Sequence, residues 1–206
     1  MPTIKTFLFD IGGVLSHDGH ETYLSHPLHG IALDLGLSEK ELFSRTVAVF
    51  RKYAVMPTAD ETLFWKEIGA ALGTSFTADT ISAVKSNVCD INQGTTAAFA
   101  LLDSRNIKIG IISNSTPFFY PTMSAMLSLK DHVQPELVFL SHVKGVLKSN
   151  GLFELAAEKL DSSSTFMLDD RLKNVLYARK LGFKSEVYSM TTGASLLELV
   201  DECIKR

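Results

Sequence analysis

Short apolar runs alternate with amphipathic segments along most of the chain, and this alternation limits the possible folds more than any other feature. It is typical of strands joined by helices in a parallel sheet. The runs are mostly continuous rather than alternating in polarity, so we expect strands that are buried on both faces. The predicted strands are Ile4–Phe9, Ile107–Ile112, Leu137–Leu140, Phe166–Leu168 and Ser185–Tyr188. The predicted helices are Thr95–Ser104, Pro117–Leu129, Gly151–Leu160, Leu172–Leu181 and Ala194–Ile204.

One long stretch interrupts the alternation. Residues 16–92 contain helical patterns and no convincing strand. Capping boxes are predicted at Ser38–Glu41 and Thr58–Glu61, the second helix should stop at Gly73, and a third helix should cover residues 77–88. The sequence therefore predicts an α/β fold with two parts. Residues 1–15 and 93–206 form a parallel-sheet core, and residues 16–92 form an inserted helical cap.

Composition narrows the class of protein. The 206 residues are 46% hydrophobic and 21% charged, which is ordinary for a globular protein and permits a core of normal size. The net charge of −3 argues against a nucleic-acid partner, and no apolar run is long enough to span a membrane. Cys89 and Cys203 are far apart and outside any metal-binding spacing, so we expect reduced thiols and a cytoplasmic protein. We expect a monomer or a homodimer.

Polar and charged residues follow four of the predicted strands. Asp10 ends the first strand, Ser113 and Asn114 follow the second, Lys148 follows the third, and Asp169 and Asp170 end the fourth. Because the carboxyl ends of parallel strands share one edge of a sheet, these side chains should meet. Two adjacent carboxylates favour a hard cation such as Mg²⁺. The set contains a nucleophile, a metal site and phosphate-binding groups, as phosphoryl transfer requires.

Each segment taken alone also has a purely structural interpretation. Asp10 could cap a backbone N–H at an ordinary turn, and Ser115 or Thr116 could cap the next helix. Lys148 could be a solvated surface residue, and Asp170 could cap the helix that starts near Arg171. The occurrence of all four segments in this order, each at the end of its own strand, favours the chemical interpretation.

The four segments resemble the motifs of the haloacid dehalogenase (HAD) superfamily, in the order of that family and over nearly the whole chain. The matching stretches are Phe9-Asp10-Ile11-Gly12-Gly13-Val14, Ile112-Ser113-Asn114, Gly145-Val146-Leu147-Lys148, and Leu168-Asp169-Asp170 with Asn174, Ala178 and Gly182. The insertion is similar to the small helical cap of one subclass. The two glycines resemble the branch that contains glucose-1-phosphate phosphatases and the phosphatase domain of soluble epoxide hydrolase.

This resemblance implies a Rossmann-like core and a Mg²⁺-dependent phosphatase that acts on a small phosphorylated metabolite. Asp10 would attack phosphorus and form an aspartyl-phosphate. Mg²⁺ would be held by Asp10, the Gly12 carbonyl and Asp170, with Asp169 orienting a metal-bound water. The remaining roles implied are phosphate binding by Ser113 and the N–H of Asn114, charge neutralisation by Lys148, and support of the loop by Asn174.

Two departures from the family pattern bear on function. Most phosphatases of this family carry a second aspartate two residues after the nucleophile as general acid and base, and Gly12 stands there. Such catalysis contributes about 10²–10⁴-fold. Either the leaving group needs little help, or His17, Asp18 or His20 supplies the proton, or turnover is slow. In the third motif, Ser149-Asn150-Gly151 replaces the usual Pro-Asp-Pro, which predicts a less rigid loop.

Other interpretations remain open at this point. A 2-haloacid dehalogenase needs no second aspartate, but it needs no Mg²⁺ either. A catalytically degenerate phosphate-binding or regulatory protein would also fit the glycine. The spacing of His17, His20, His26 and His29 could suggest a transition-metal site, although a polar junction loop is favoured. Trp65 is interpreted as cap packing rather than as a substrate platform.

Overall fold

The computed structural model of the protein describes residues 3–16, 30–86 and 91–205, with only the backbone at Ser86. Five parallel strands form one sheet, in the spatial order β3-β2-β1-β4-β5. The strands are β1 (Thr6–Phe9), β2 (Lys108–Ser113), β3 (Val133–Leu140), β4 (Thr165–Asp169) and β5 (Lys184–Val187). The chain builds outward from β1 on one side and then crosses to the other side at β4. In a doubly wound sheet, this reversal opens a crevice at the carboxyl ends of β1 and β4.

Helices cover the sheet and fill the insertion. The helices of the insertion are α1 (Ile31–Asp34), α2 (Glu39–Tyr53), α3 (Glu61–Leu72) and α4 (Ala78–Ser86). Those that follow are α5 (Thr95–Ser104), α6 (Tyr120–Met126), α7 (Leu129–His132), α8 (Ser141–Lys144), α9 (Leu152–Lys159), α10 (Leu172–Lys180) and α11 (Leu196–Lys205). Short 3₁₀ turns cover Lys148–Asn150, Ser162–Ser164 and Met190–Thr192. The α/β fold with a Rossmann-like parallel sheet is therefore as predicted.

The sheet and the insertion have separate apolar cores. One face of the sheet buries Phe7 and Phe9, and the other buries Leu8 and Met167. The insertion buries its own aromatic cluster around Phe64. The chain leaves the core and returns to it side by side, because Asn92 N–H donates to the Leu15 carbonyl at 2.9 Å. The two connections between the core and the helical insertion therefore lie side by side, close to the end of β1.

Aromatic residues after β2 join the two cores. Phe118 and Phe119 belong to the core sequence, but they pack into the aromatic cluster of the insertion. The ring centroid of Phe119 lies 5.8 Å from that of Phe50 on α2, and that of Phe118 lies 5.3 Å from that of Phe64 on α3. Aromatic pairs at these separations are attractive beyond the area that they bury. This contact holds α2 over the carboxyl edge of the sheet.

Several local predictions need correction. The capping box at Ser38 is present, but α3 is capped by Asp60, whose carboxylate accepts from Thr62 and Leu63 N–H, and not by Thr58. The predicted helix over 117–129 is two helices, α6 and α7, separated by Ser128 at φ 49°. Strand β3 starts four residues earlier than predicted, at Val133. Residues 87 and 88 of the predicted third cap helix lie outside the described residues.

Within the described residues, no helix combines the length and the apolar character that crossing a bilayer requires.

Candidate active site

Lys148 connects the ends of two strands. Its Nζ lies 2.5 Å from Asp10 Oδ2 and 2.8 Å from Asp169 Oδ2, and the lysine side chain is 2% exposed. Asp10 follows the last residue of β1, and Asp169 is the last residue of β4, the neighbouring strand. A buried ammonium requires compensation, and the two carboxylates supply it. The structure thus places Lys148 between the ends of β1 and β4 and excludes the solvated-surface interpretation of this lysine.

Asp169 is the more firmly ionised of these two carboxylates. Burial alone would raise its pKa, but the charge of Lys148 and hydrogen bonds outweigh burial and hold the pKa below its ordinary value. The hydrogen bonds come from Lys148 Nζ, the Arg171 N–H at 2.9 Å and Asn174 Nδ2 at 2.8 Å. Asn174, which the sequence predicts to support the loop, therefore holds the Asp169 carboxylate directly.

Asp10 experiences the opposite balance. Burial raises the pKa of its carboxyl to about 7, against the opposing charge of Lys148, and the negative charges of Asp169 and Asp170 add to the rise. Its Oδ1 accepts the Ile11 N–H at 2.8 Å. Two neighbouring carboxylates whose environments push their pKa values apart are typical of catalytic sites.

Three carboxylates form a group that fits a divalent cation. Ligand oxygens of Asp10, Asp169 and Asp170 lie within 4.8 Å of one another. When all three are ionised, they carry three negative charges and Lys148 returns one positive charge, so a net charge of −2 remains. Gly13 makes room for the third carboxylate, since a Cβ built there would lie 2.7 Å from Asp170 Cγ, and its φ of 76° also favours glycine. Oxygen ligands of this kind suit Mg²⁺.

The loop after β2 lies beside this group and is fixed by neighbouring elements. The Asn114 side-chain carbonyl accepts the Lys148 backbone N–H at 2.9 Å, so this oxygen positions the lysine and the N–H groups of Asn114 remain as donors for an anion. Ser141 Oγ accepts the Ser115 N–H at 2.9 Å. His142 Nδ1 lies 3.0 Å from the Ser115 carbonyl, which can only accept, so this nitrogen carries the proton. Sequence reasoning did not find these contacts.

A cavity of about 160 Å³ opens between the carboxyl edge of the sheet and α2. Its lining includes six of the predicted site residues, namely Asp10, Gly12, Ser113, Asn114, Lys148 and Asn174. The other two, Asp169 and Asp170, lie beside Asp10 in the carboxylate group. All the predicted site residues therefore come together.

Other candidate residues have different outcomes. Trp65 is buried in the aromatic cluster of the insertion and does not line this cavity, as the cap-packing interpretation predicts. The residues His17, Asp18, His20, His26 and His29 lie outside the described residues. Sequence reasoning assigned α2 to the cap but did not identify which of its side chains reach the cavity.

Solved structures with a similar fold are HAD-family enzymes and dehalogenases. A HAD-family enzyme from Bacteroides thetaiotaomicron has a TM-score of 0.74 and 18% identity, and the match covers 96% of this chain and 98% of that chain. The same enzyme in complex with magnesium and inorganic phosphate gives a TM-score of 0.68 with 19% identity, over 95% of this chain and 98% of that chain.

More distant neighbours include an L-2-haloacid dehalogenase from Xanthobacter autotrophicus, with a TM-score of 0.61 and 18% identity over 88% of this chain and 76% of that chain. No protein-family model matches the chain, and no curated protein matches it in sequence. The likeness to these solved structures shows that the chain has the HAD-like fold.

Proposed function

We propose that this chain is a HAD-like hydrolase, and specifically a Mg²⁺-dependent phosphatase that acts on a small phosphorylated metabolite such as a sugar phosphate. The observation that carries the proposal is the bridge from Lys148 to Asp10 and Asp169, with Asp170 beside them, at one end of the cavity. The magnesium and phosphate bound by the Bacteroides enzyme of the same fold support it.

In the proposed reaction, Asp10 is the nucleophile. A bond forms between a carboxylate oxygen of Asp10 and phosphorus, and the bond from phosphorus to the alcohol oxygen breaks. Ser113, the Asn114 N–H and Lys148 bind the phosphoryl oxygens. Mg²⁺ held by Asp10, Asp170 and the Gly12 carbonyl would neutralise the charge on those oxygens. Water then attacks the aspartyl-phosphate, which releases phosphate and restores Asp10.

Gly12 shapes the expected preference for leaving groups. Among the described residues that line the cavity, Asp10 is the only carboxylic acid and no histidine is present. If none of His17, Asp18 and His20, which lie outside the described residues, supplies a proton, the alcohol leaves as an anion and takes its proton from solvent. Rates should therefore rise steeply as the leaving group becomes less basic.

Hydrolysis of p-nitrophenyl phosphate by the purified protein tests the proposal. We expect activity that depends on Mg²⁺, is removed by EDTA, and falls to background in Asp10→Asn. Asp79→Asn, on the exposed surface of α4, is the matched control and should keep full activity. If neither this ester nor a panel of sugar phosphates is hydrolysed in a metal-dependent way, the protein is not a phosphatase.

A 2-haloacid dehalogenase is the second candidate, because its chemistry needs no second aspartate where Gly12 stands and the Xanthobacter enzyme has a similar fold. Its chemistry would release halide from 2-chloropropionate without metal. The adjacent Asp169 and Asp170 favour the phosphatase, because a dehalogenase has no use for a divalent cation. Halide release that is insensitive to EDTA and lost in Asp10→Asn would select the dehalogenase. Binding of Mg²⁺ and phosphate without any turnover would select a degenerate binding protein.

A further inference from the structure

One side of α2 forms the cap wall of the cavity. Four of its residues, Phe43, Val47, Phe50 and Arg51, line the cavity together with Ala54 just after the helix. Their spacings of three and four residues place them on one side of a helix. Four of the five side chains are apolar, so Arg51 is the one charge among the described residues of this wall.

Cations predominate over anions in the lining of the cavity as a whole. Among the described residues that line the cavity, the cations are Arg51, Lys148, Arg171 and Lys173, and the only anion is Asp10. Lys148 is paired with Asp10 and Asp169, and Arg171 Nε lies 3.8 Å from Asp170. In the part of the chain that the structure describes, neither Arg51 nor Lys173 has a carboxylate within 4.0 Å.

Arg51 and Lys173 add positive charge to the cavity beyond the groups that would bind one phosphoryl group. Lys148 and the loop after β2 already lie at the end of the cavity where Asp10 would attack. Arg51 reaches the cavity from the opposite wall, on α2. Arg51 is exposed to solvent but also lines the cavity, and its guanidinium can bind carboxylate or phosphate oxygens through two parallel hydrogen bonds. The arrangement therefore has binding capacity for a second anion.

The volume limits the size of the substrate. A cavity of about 150 Å³ in another protein holds one benzene molecule, and the volume here is about 160 Å³. The part of the substrate that the cavity encloses should thus be short, no larger than about one six-membered ring. The apolar side chains Phe43, Val47 and Phe50 favour carbon over hydroxyl groups on the side that faces α2.

We propose that the substrate is a small phosphate monoester with a second anionic group, a carboxylate or a further phosphate, which Arg51 binds. This inference rests on the proposed phosphatase function and adds the class of its substrate. Arg51 would then be a specificity-determining residue, because it contacts the part of the substrate that leaves.

The test compares substrates that differ chiefly in the second charge, with kcat/KM for the bisphosphate divided by two for its two equivalent phosphates. Phenyl phosphate, 3-carboxyphenyl phosphate and 1,3-phenylene bisphosphate have similar leaving groups, and the latter two distinguish a carboxylate from a phosphate. The wild-type protein should have a higher kcat/KM for at least one charged ester than for phenyl phosphate. In Arg51→Ala, the ratio of kcat/KM for the preferred charged ester to kcat/KM for phenyl phosphate should fall about 10-fold. The fall should come chiefly from KM, since a binding contact away from phosphorus is lost.

The control is Arg45→Ala, because Arg45 is exposed on the same helix but does not line the cavity. This variant should keep the wild-type ratio. Arg51→Glu should invert the preference towards phenyl phosphate. Equal kcat/KM values for all three esters in the wild type, or the same loss of ratio in Arg45→Ala, would overturn the inference while leaving the phosphatase intact.

A binding measurement keeps the inference testable if turnover is absent. Calorimetry on Asp10→Asn with Mg²⁺ should show tighter binding of a charged ester than of phenyl phosphate. Adding Arg51→Ala should remove that difference. If Asp10→Asn binds all three esters equally, the inference is wrong even where the phosphatase proposal has failed for a separate reason.

Discussion

Replacing Asp10 by asparagine should stabilise the metal-free protein at alkaline pH. Asp10 is 8% exposed and its carboxyl lies beside Asp169 and Asp170, which helps to raise the pKa of this carboxyl from the ordinary 3.8 to about 7. A raised pKa means that folding disfavours the ionised form. The free energy of unfolding therefore falls as the pH rises from about 4 to 7. Asparagine, which cannot ionise, escapes this loss.

The size of the effect follows from the pKa. Each pKa unit corresponds to about 1.4 kcal/mol, so the rise from 3.8 to about 7 makes ionised Asp10 cost about 4 kcal/mol of unfolding free energy above pH 7. At pH 5 the same linkage gives a cost of about 2 kcal/mol. Lys148 keeps its ion pair with Asp169 at 2.8 Å in the variant, so it is not left unpaired.

Urea unfolding in EDTA at pH 5 and pH 8 measures the difference between Asp10→Asn and the wild type. The stability advantage of the variant should be about 3 kcal/mol larger at pH 8 than at pH 5. Asp79→Asn, at an exposed position on α4, should show no such dependence on pH. An advantage that does not change with pH, or a variant less stable than the wild type at pH 8, would refute the reasoning.

Three further outcomes can be checked by binding and stability measurements. Asp10 must ionise to bind a metal, and its pKa is about 7. The Mg²⁺ affinity measured by calorimetry should therefore fall about tenfold for each pH unit below 7 and level off above pH 7. An affinity that stays constant from pH 5.5 to 7 would contradict this. Asn174→Ala removes the hydrogen bond to Asp169 Oδ1 and should weaken Mg²⁺ binding about 10–100-fold without loss of helical circular dichroism. Lys180→Ala, at an exposed position on the same helix and outside the cavity lining, should leave the affinity unchanged. The Thr116 hydroxyl is buried without a hydrogen-bond partner among the described residues, so Thr116→Val should raise the unfolding free energy by about 1 kcal/mol; a clear loss would show that the hydroxyl has a partner in solution.

Strand ends were predictable because their chemistry is local. A continuous apolar run that stops at Asp10 or at Asp169 shows both a buried strand and its carboxyl end, and parallel order then brings such ends to one edge. The capping box at Ser38 was predictable for the same reason, since its partners are three residues apart. The haloacid dehalogenase resemblance of these segments agrees with the fold observed.

Errors arose where local signals were ambiguous or where the place of a segment in the sheet outweighs its local preference. Asp60 rather than Thr58 caps α3, because two acceptable capping residues stood close together and the helix could start at either. Pro135 made the first half of β3 unrecognisable as a strand. Proline is tolerated there because β3 is an edge strand and its pairing with β2 shifts register between Ile109 and Ile111.

The sequence by itself determined the alternation of strands and helices, the inserted helical segment, and the residue types at four strand ends, because each is recorded within a few consecutive positions. Only the tertiary structure decided that Lys148 bridges Asp10 and Asp169 and that Asn114 holds the Lys148 backbone. It also decided that Arg51 lines the same cavity, on a helix that aromatic packing holds over the sheet. These contacts join residues about 20 to 140 positions apart, and their geometry depends on how two separate cores pack together.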